Sequence, residues 1–304
     1  MKDILVTGGS GQVGKALQEI LPYAYYLSSS ECDLTDERQT SVLFNEIKPK
    51  IVIHLAARVG GIIDNMNNQH EYLLDNLKIN NNVIDNCHKH KINRFISILS
   101  TCIFPDKMEE SCYPMKEEDM FNGRPTETNF GYALAKRTLS YLIDSHNAKF
   151  GTKWQYLTPC NLFGEHDKIG SHSHFISGMI EKIVKAENGK DKKITLFGDG
   201  SPYRQFVYAK DLAVLIKKCI FEDISESFNV APIENFTIKE MAEKTLKAIG
   251  SDLNIEWDTT KPNGQLRKDV SNEKMTSLFP HFKFTPYEQA IVSTYNSFKT
   301  RING

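Results

Sequence analysis

Ile4-Leu5-Val6-Thr7-Gly8-Gly9-Ser10-Gly11-Gln12-Val13-Gly14 is the stretch that decides the fold. Ile4-Leu5-Val6 reads as a buried strand, and residues from Gln12 to Leu21 carry helical apolar spacing. Between them, Gly8, Gly11 and Gly14 remove the side chains that would keep a ligand away from the backbone. A helix that opens on such a loop offers unpaired N–H groups and a positive dipole end to a pyrophosphate. The spacing is G-x-x-G-x-x-G rather than G-x-G-x-x-G. Glycines also end strands without binding anything, but their place at the first strand-to-helix turn favours the phosphate reading.

Outward from this turn the same rhythm repeats. A second strand is expected near Tyr25-Tyr26-Leu27, then a helix after Thr35-Asp36, where either residue can cap its start. Next come a strand at Ile51-Val52-Ile53-His54-Leu55, a long helix over about 71–90, and a strand from Arg94 to Leu99. Alternating strands and helices predict a parallel sheet covered on both faces, and the strands are continuously apolar as that burial demands. The expected fold class is α/β, a Rossmann-type doubly wound parallel sheet with a smaller mixed α/β lobe. Past Cys160 the rhythm loosens. Helices are expected over 176–186 and 238–249, among loops rich in Gly, Pro, Asp and His. The division read from this is a cofactor-binding domain over 1–165, with later segments at about 195–230 returning to it, and a mainly substrate-binding lobe over 166–304.

Composition narrows the function. Of 304 residues, 40% are hydrophobic and 25% charged, which excludes a disordered chain, and a net charge of -1 with no basic stripe argues against nucleic acid as partner. Met1-Lys2-Asp3 runs straight into the first strand with no signal-peptide pattern, and the longest apolar run, Ile51 to Ala57, is too short to span a bilayer. A cytoplasmic protein that does not bind membranes is expected. The six cysteines form no C-x-x-C pair and have no zinc-finger spacing, so they read as reduced and mostly as small core residues.

Tyr132-Ala133-Leu134-Ala135-Lys136 is a Y-x-x-x-K pattern near the start of an expected helix. Four-residue spacing puts both side chains on one helical face. A cationic Lys136 there would stabilise phenolate and lower the tyrosine pKa. Ser100 follows the strand at 94–99, where a strand's C-terminal end faces the ligand crevice, and its hydroxyl can bond the carbonyl oxygen that Tyr132 protonates. Glycine loop, strand-end serine and Y-x-x-x-K in this order resemble the pattern of a short-chain dehydrogenase/reductase. The hydroxyls of Ser28 and Ser29 after the second strand could hold a 2′-phosphate, with Glu31 close by; a plain serine-rich turn reads equally well.

Several further stretches resemble the GDP-L-fucose synthase family of extended short-chain dehydrogenase/reductases. They are Leu55-Ala56-Ala57-Arg58-Val59-Gly60-Gly61-Ile62, Ser100-Thr101-Cys102-Ile103-Phe104-Pro105, Asn161-Leu162-Phe163-Gly164-Glu165-His166-Asp167, Ser173-His174-Phe175-Ile176, Arg204-Gln205-Phe206-Val207-Tyr208 and Lys261-Pro262-Asn263-Gly264. The resemblance implies NADP(H) as cofactor and a GDP-linked 4-keto sugar as substrate. It implies Ser100, Tyr132 and Lys136 for ketone reduction, and Cys102 with His174 as the acid/base pair that inverts C3 and C5. Candidate cofactor contacts are Gly8, Gly11, Gln12, Val13, Gly14, Ser28, Ser29, Asp33, Leu34, Leu55, Ala56, Ala57 and Lys136. Candidate substrate contacts are Val59, Asn161, Lys182, Phe197, Arg204 and Lys261. The chain departs from the family pattern at Glu165 and Ser177, each in place of proline, at Phe197 in place of tryptophan, and at Asn263 in place of aspartate. The loop from Asp167 to Ser173 also lacks the family's D-N-F.

The expected reaction is NADPH-dependent reduction at C4 of a GDP-4-keto-6-deoxy sugar after epimerisation at C3 and C5. The alternatives are a dedicated C4-reductase acting on a GDP-4-keto-heptose or another GDP-4-keto sugar, and a non-catalytic NADP-binding regulator. Activation of the Cys102 thiol is assigned in part to Lys136 and the nicotinamide charge. No metal is expected, although His166, His172 and His174 share one polar loop. A homodimer is expected through the long helix, with Tyr72, Leu73, Leu77, Val83 and Ile84 as apolar positions that face either a partner or the sheet.

Overall fold

In the computed structural model, which describes residues 3–170, 173–261 and 263–304, four-residue β1 (Ile4–Thr7) is buried throughout. Met1, Lys2, His172 and Pro262, named above, lie outside the described residues. The first half continues as α1 (Gln12–Ile20), β2 (Tyr25–Leu27), α2 (Glu37–Ile47), β3 (Ile51–His54), α3 (Ile62–Asn67), α4 (Gln69–Lys89), β4 (Arg94–Ile98), α5 (Phe130–Phe150) and β5 (Lys153–Pro159). Asp36 caps α2 by accepting from the backbone N–H of Arg38 and Gln39, as the sequence suggests. After β6 (Asn161–Phe163) come α6 (Phe175–Gly189), β7 (Lys193–Phe197), β8 (Tyr203–Arg204), β9 (Phe206–Tyr208), α7 (Ala209–Phe221), β10 (Phe228–Val230), β11 (Phe236–Thr237), α8 (Ile238–Ile249), β12 (Asn254–Asp258), α9 (Glu273–Leu278) and α10 (Tyr287–Asn303).

Among the described residues the main sheet has six parallel strands in the order β10-β5-β4-β3-β1-β2. The chain order reverses at β1, which pairs with β2 on one side and β3 on the other. Ligands of such sheets bind beyond the strand C-termini at this switch point. Here those ends carry Thr7-Gly8 and His54-Leu55. His54 is fully buried, and Thr7 Oγ1 (2.8 Å) and Asn80 Oδ1 (3.1 Å) satisfy its ring nitrogens. Burial, together with the charge of Lys136, lowers its pKa to about 3, so it is a neutral core residue.

Two apolar cores divide the molecule. The first fills the space around the main sheet. The second gathers Phe163 with residues of α6, β7, α8 and α10. The chain rejoins the first core at Val207, later than the sequence rhythm suggests, because Ile194 and Leu196 of β7 belong to the second. Val270, Met275 and Phe279 make a second return that the sequence pattern does not announce. Tyr72 and Val83 of α4, considered for a partner surface, are buried inside the chain. No helix among the described residues is long and apolar enough to cross a membrane.

Candidate active site

The glycine loop closes tightly on itself. Gly8 has φ +70°, and a Cβ on it would lie 2.7 Å from the backbone N of Ala56. A Cβ on Gly14 would lie 2.5 Å from the Gly9 carbonyl oxygen. No side chain caps α1 and no acidic residue occupies its first turn, so its leading N–H groups keep their anion-binding capacity. Gln12 Nε2 is buried with no partner among the described residues. A side-chain-free cradle, an uncapped helix start and an orphaned amide fit the pyrophosphate of a dinucleotide. Leu55 and Ala56 flank this cradle, with Leu55 N bonded to the Thr7 carbonyl and Ala56 N 3.3 Å from Thr7 Oγ1.

At the end of β2, Ser28 donates from its N–H and its hydroxyl to Glu31 (2.8 and 2.6 Å). The serines therefore belong to a turn held by Glu31, which joins the two readings the sequence leaves open. Asp33 accepts from Thr35 at 2.9 and 2.8 Å, and Leu34 is buried. Both shape the entry to α2.

Tyr132 and Lys136 lie in the first turns of α5. The helix start packs against the start of α4: Gln69 Oε1 accepts from Gly131 N at 2.8 Å, and a Cβ on Gly131 would come 2.1 Å from the Gln69 carbonyl oxygen. Only glycine permits this approach, which fixes the height of Tyr132. One turn on, the buried Lys136 donates to the Ile98 carbonyl at 2.8 Å and so anchors α5 to the strand end that carries Ser100. Ser100 caps a short 3₁₀ turn over Thr101–Ile103 by accepting from Cys102 N at 3.3 Å.

Two electrostatic expectations need correction. Burial first, and then negative charge at Cys102 and Tyr72, push the Tyr132 phenol above the ordinary tyrosine range; Lys136 contributes no lowering. Burial drops the Lys136 ammonium to about 8. The tyrosine is thus held as a protonated phenol, the form a proton donor requires. For Cys102 the leading cation is Lys268 rather than Lys136. Burial alone would raise the thiol, but Lys268 first, then Ser100 and Asn129, outweigh it and hold Cys102 below its usual value.

His174 stands at the N-cap of α6. Its Nδ1 faces both carboxylate oxygens of buried Asp167, at 3.3 and 3.2 Å. This bond raises the imidazole above its ordinary value, against the effect of burial. Burial would raise Asp167, yet His174, Ser177 and the N–H of Lys168 hold it low. Ser177, in place of the family's proline, donates its hydroxyl to Asp167 Oδ2 and is wholly buried. Asp167 therefore orients His174 and leaves Nε2 directed away from the carboxylate. The charge of Cys102 acts on Tyr132, His174 and Arg204 alike, so these groups share one site.

A third cluster gathers most candidate substrate contacts. Asn161 Nδ2 donates to the Gln205 carbonyl at 2.9 Å, beside Arg204. Gly264 approaches Arg204, and Asn263 Oδ1 accepts from Asp199 N at 2.8 Å in the turn after Phe197. Phe197 is 55% exposed, with the Lys182 ammonium 5.0 Å from its ring centre, so it packs no lobe interface and offers a face for stacking. Lys261 is exposed on the same turn as Asn263, and Val59 is exposed after β3. Glu165, the other departure, does not face this cluster: Tyr208, Ser293 (2.6 Å) and Lys210 (3.3 Å) engage its carboxylate and tie α10 to α7. Among the described residues no group of three or more acidic, histidine or cysteine side chains could hold a metal ion.

The sequence reading missed Asp167, Asn129 and Lys268. Asp167 has a signal in retrospect, since an acid seven residues before a histidine across a loop can reach back to it. Lys268 has none, because 166 residues separate it from Cys102.

The model of the NAD dependent epimerase/dehydratase family matches residues 4–231. The chain is 40% identical to a probable GDP-L-fucose synthase of Drosophila melanogaster, over 96% of this chain and 95% of that protein. It is 38% identical to GDP-L-fucose synthase of Dictyostelium discoideum, over 95% and 93%. A solved GDP-L-fucose synthetase from Naegleria fowleri bound to NADP aligns with TM-score 0.89 and 35% identity, covering 100% of this chain and 95% of that one.

Proposed function

The chain belongs to the NAD dependent epimerase/dehydratase family, in its GDP-L-fucose synthase branch, and from that premise we propose that it epimerises a GDP-4-keto-6-deoxy sugar at C3 and C5 and reduces it at C4 with NADPH. One observation carries this reading: a protonated phenol and an imidazole held high both lie in the field of one thiol that is held low.

Protons on C3 and C5 flank the C4 ketone, so their removal leaves an enolate whose oxygen needs hydrogen-bond donors. Tyr132 and Ser100 supply them. Cys102 removes the proton from one face and His174 returns one to the other. NADPH, when bound, supplies the hydride to C4. Tyr132 then protonates the C4 oxygen, and Lys136 holds the helix that carries it. The glycine cradle with Gln12, Val13, Ser28, Ser29, Asp33, Leu34 and Ala57 is assigned to the cofactor. Asn161, Lys182, Phe197, Arg204, Lys261 and Val59 are assigned to the nucleotide sugar, with Phe197 stacking on guanine. In this assignment the first core is the cofactor domain and the second the substrate lobe.

The test is product analysis by NMR in deuterated buffer with NADPH and GDP-4-keto-6-deoxymannose. Deuterium is expected at C3 and C5, together with NADPH consumption. Consumption without deuterium in the product would remove the epimerase half and leave a dedicated C4-reductase.

The working unit is assigned as a homodimer. Leu74 on α4 and Tyr141 on α5 are exposed apolar positions on neighbouring helices and support it. Light scattering should give twice the chain mass, and a monomer mass at assay concentration would refute the pairing. All six cysteines are free, as is usual in a reducing compartment, which supports assignment to the cytoplasm.

A further inference from the structure

We propose that Lys268, with Asn129, is the positioning residue that keeps Cys102 ionised before substrate arrives. This rests on reading Cys102 as the base at C3 and C5, and it identifies what makes that base competent.

A thiol in apolar surroundings keeps its proton and is a poor base. The Cys102 sulfur instead lies 3.0 Å from Lys268 Nζ and 2.8 Å from Asn129 Nδ2. An ammonium has donors and no acceptor, so at that distance the sulfur must be the acceptor. The contact is charge-assisted and favours thiolate over thiol.

Lys268 is not a surface chain that happens to swing inward, because the backbone around it is fixed on both sides. Gln265 Nε2 donates to the Asp106 carbonyl at 2.8 Å. Met115 N donates to the Asp269 carbonyl at 3.0 Å, and Ser271 N to the Met115 carbonyl at 2.7 Å. Residues 265–271 thus form a strap bonded along the segment that follows Cys102, with Lys268 at its middle. Arg267, paired with Asp269 at 2.7 Å, keeps that acid engaged within the same strap.

Other titratable groups sense Cys102 through its field: Tyr132 from α5, His174 beside α6 and Arg204 from β8. Lys268 is the cation in hydrogen-bond contact with the sulfur.

The measurement is the rate of Cys102 alkylation by iodoacetamide across pH, followed by peptide mass spectrometry on the intact enzyme without substrate. The unaltered protein is expected to show a midpoint below the free-thiol value of about 8.5. Lys268→Met should raise that midpoint by about one unit or more, which slows alkylation on the order of tenfold at neutral pH. Lys268→Arg keeps a cation and should restore most of the difference. The pH profile of deuterium wash-in should move with the alkylation midpoint. An ordinary midpoint in the unaltered protein, or a midpoint unmoved in a Lys268→Met protein that still binds NADPH, overturns the proposal. A midpoint that moves while wash-in stays unchanged upholds the role of Lys268 and overturns the base assignment of Cys102 instead.

Discussion

Tyr132→Phe will bind NADPH about as the unaltered enzyme does and reduce the 4-keto sugar on the order of 10²–10⁴-fold more slowly, the span a positioned acid supplies. The substitution removes one oxygen and keeps the ring that packs at the start of α5. The Gly131–Gln69 contact and the Lys136 bond to Ile98 do not involve the phenol, so the helix stays in place. What is lost is a proton that burial first, and then the charge at Cys102, keep on the oxygen through neutral pH. Ser100 does not replace it: an aliphatic hydroxyl is a far weaker acid than a phenol, so it can share a hydrogen bond with the C4 oxygen but does not give up its proton. Cofactor titration by fluorescence and single-turnover NADPH oxidation read the two quantities separately. Wild-type turnover in the variant would show that another group donates the proton.

The second large effect falls on the carbon acids. Cys102→Ser should suppress deuterium entry at C3 and C5 by on the order of 10²-fold or more. A serine hydroxyl in the same place is far too weak an acid for Lys268 to ionise, so the site keeps its shape and loses its base. His174→Asn should block completion of the inversion, because the proton that Asp167 helps the imidazole retain is gone. Both variants should still oxidise NADPH and release a C4-reduced sugar that is not epimerised. Loss of NADPH oxidation in parallel with deuterium exchange would instead mean that the two chemistries cannot be separated by residue.

The sequence makes local chemistry legible and distant chemistry opaque. The glycine turn, the strand-end Ser100 and the spacing of Tyr132 from Lys136 are short-range patterns, and the structure places all of them at the C-terminal edge of the sheet. Asp36 at the start of α2 is legible for the same reason. The electrostatics are not. Lys136 shares a helical face with Tyr132, yet its ammonium turns to the Ile98 carbonyl, an acceptor that no spacing rule reveals. Lys268 reaches Cys102 because a late segment crosses back over the first half of the fold. Ser177 illustrates the converse. Against the family pattern it is only a lost proline, whereas in the structure it is a second donor to the carboxylate that aligns His174.

The sheet edge has a consequence for how the protein is made. β10 covers β5 by parallel pairing through Phe228, Asn229 and Val230, but the ribosome delivers it well after β5, with α6, β7 and α7 between them. Until then the nascent chain carries an apolar strand with an unpaired edge, the kind of surface on which chains aggregate. Non-local pairing of this sort also slows folding. A gene cut after β6 would still encode Ser100, Cys102, Tyr132 and Lys136, yet its product would have neither the closing strand nor the late apolar residues Val270 and Phe279 that complete the first core. The body around the main sheet thus carries its chemistry early in the chain but is closed late, and it is finished only when nearly the whole chain has emerged.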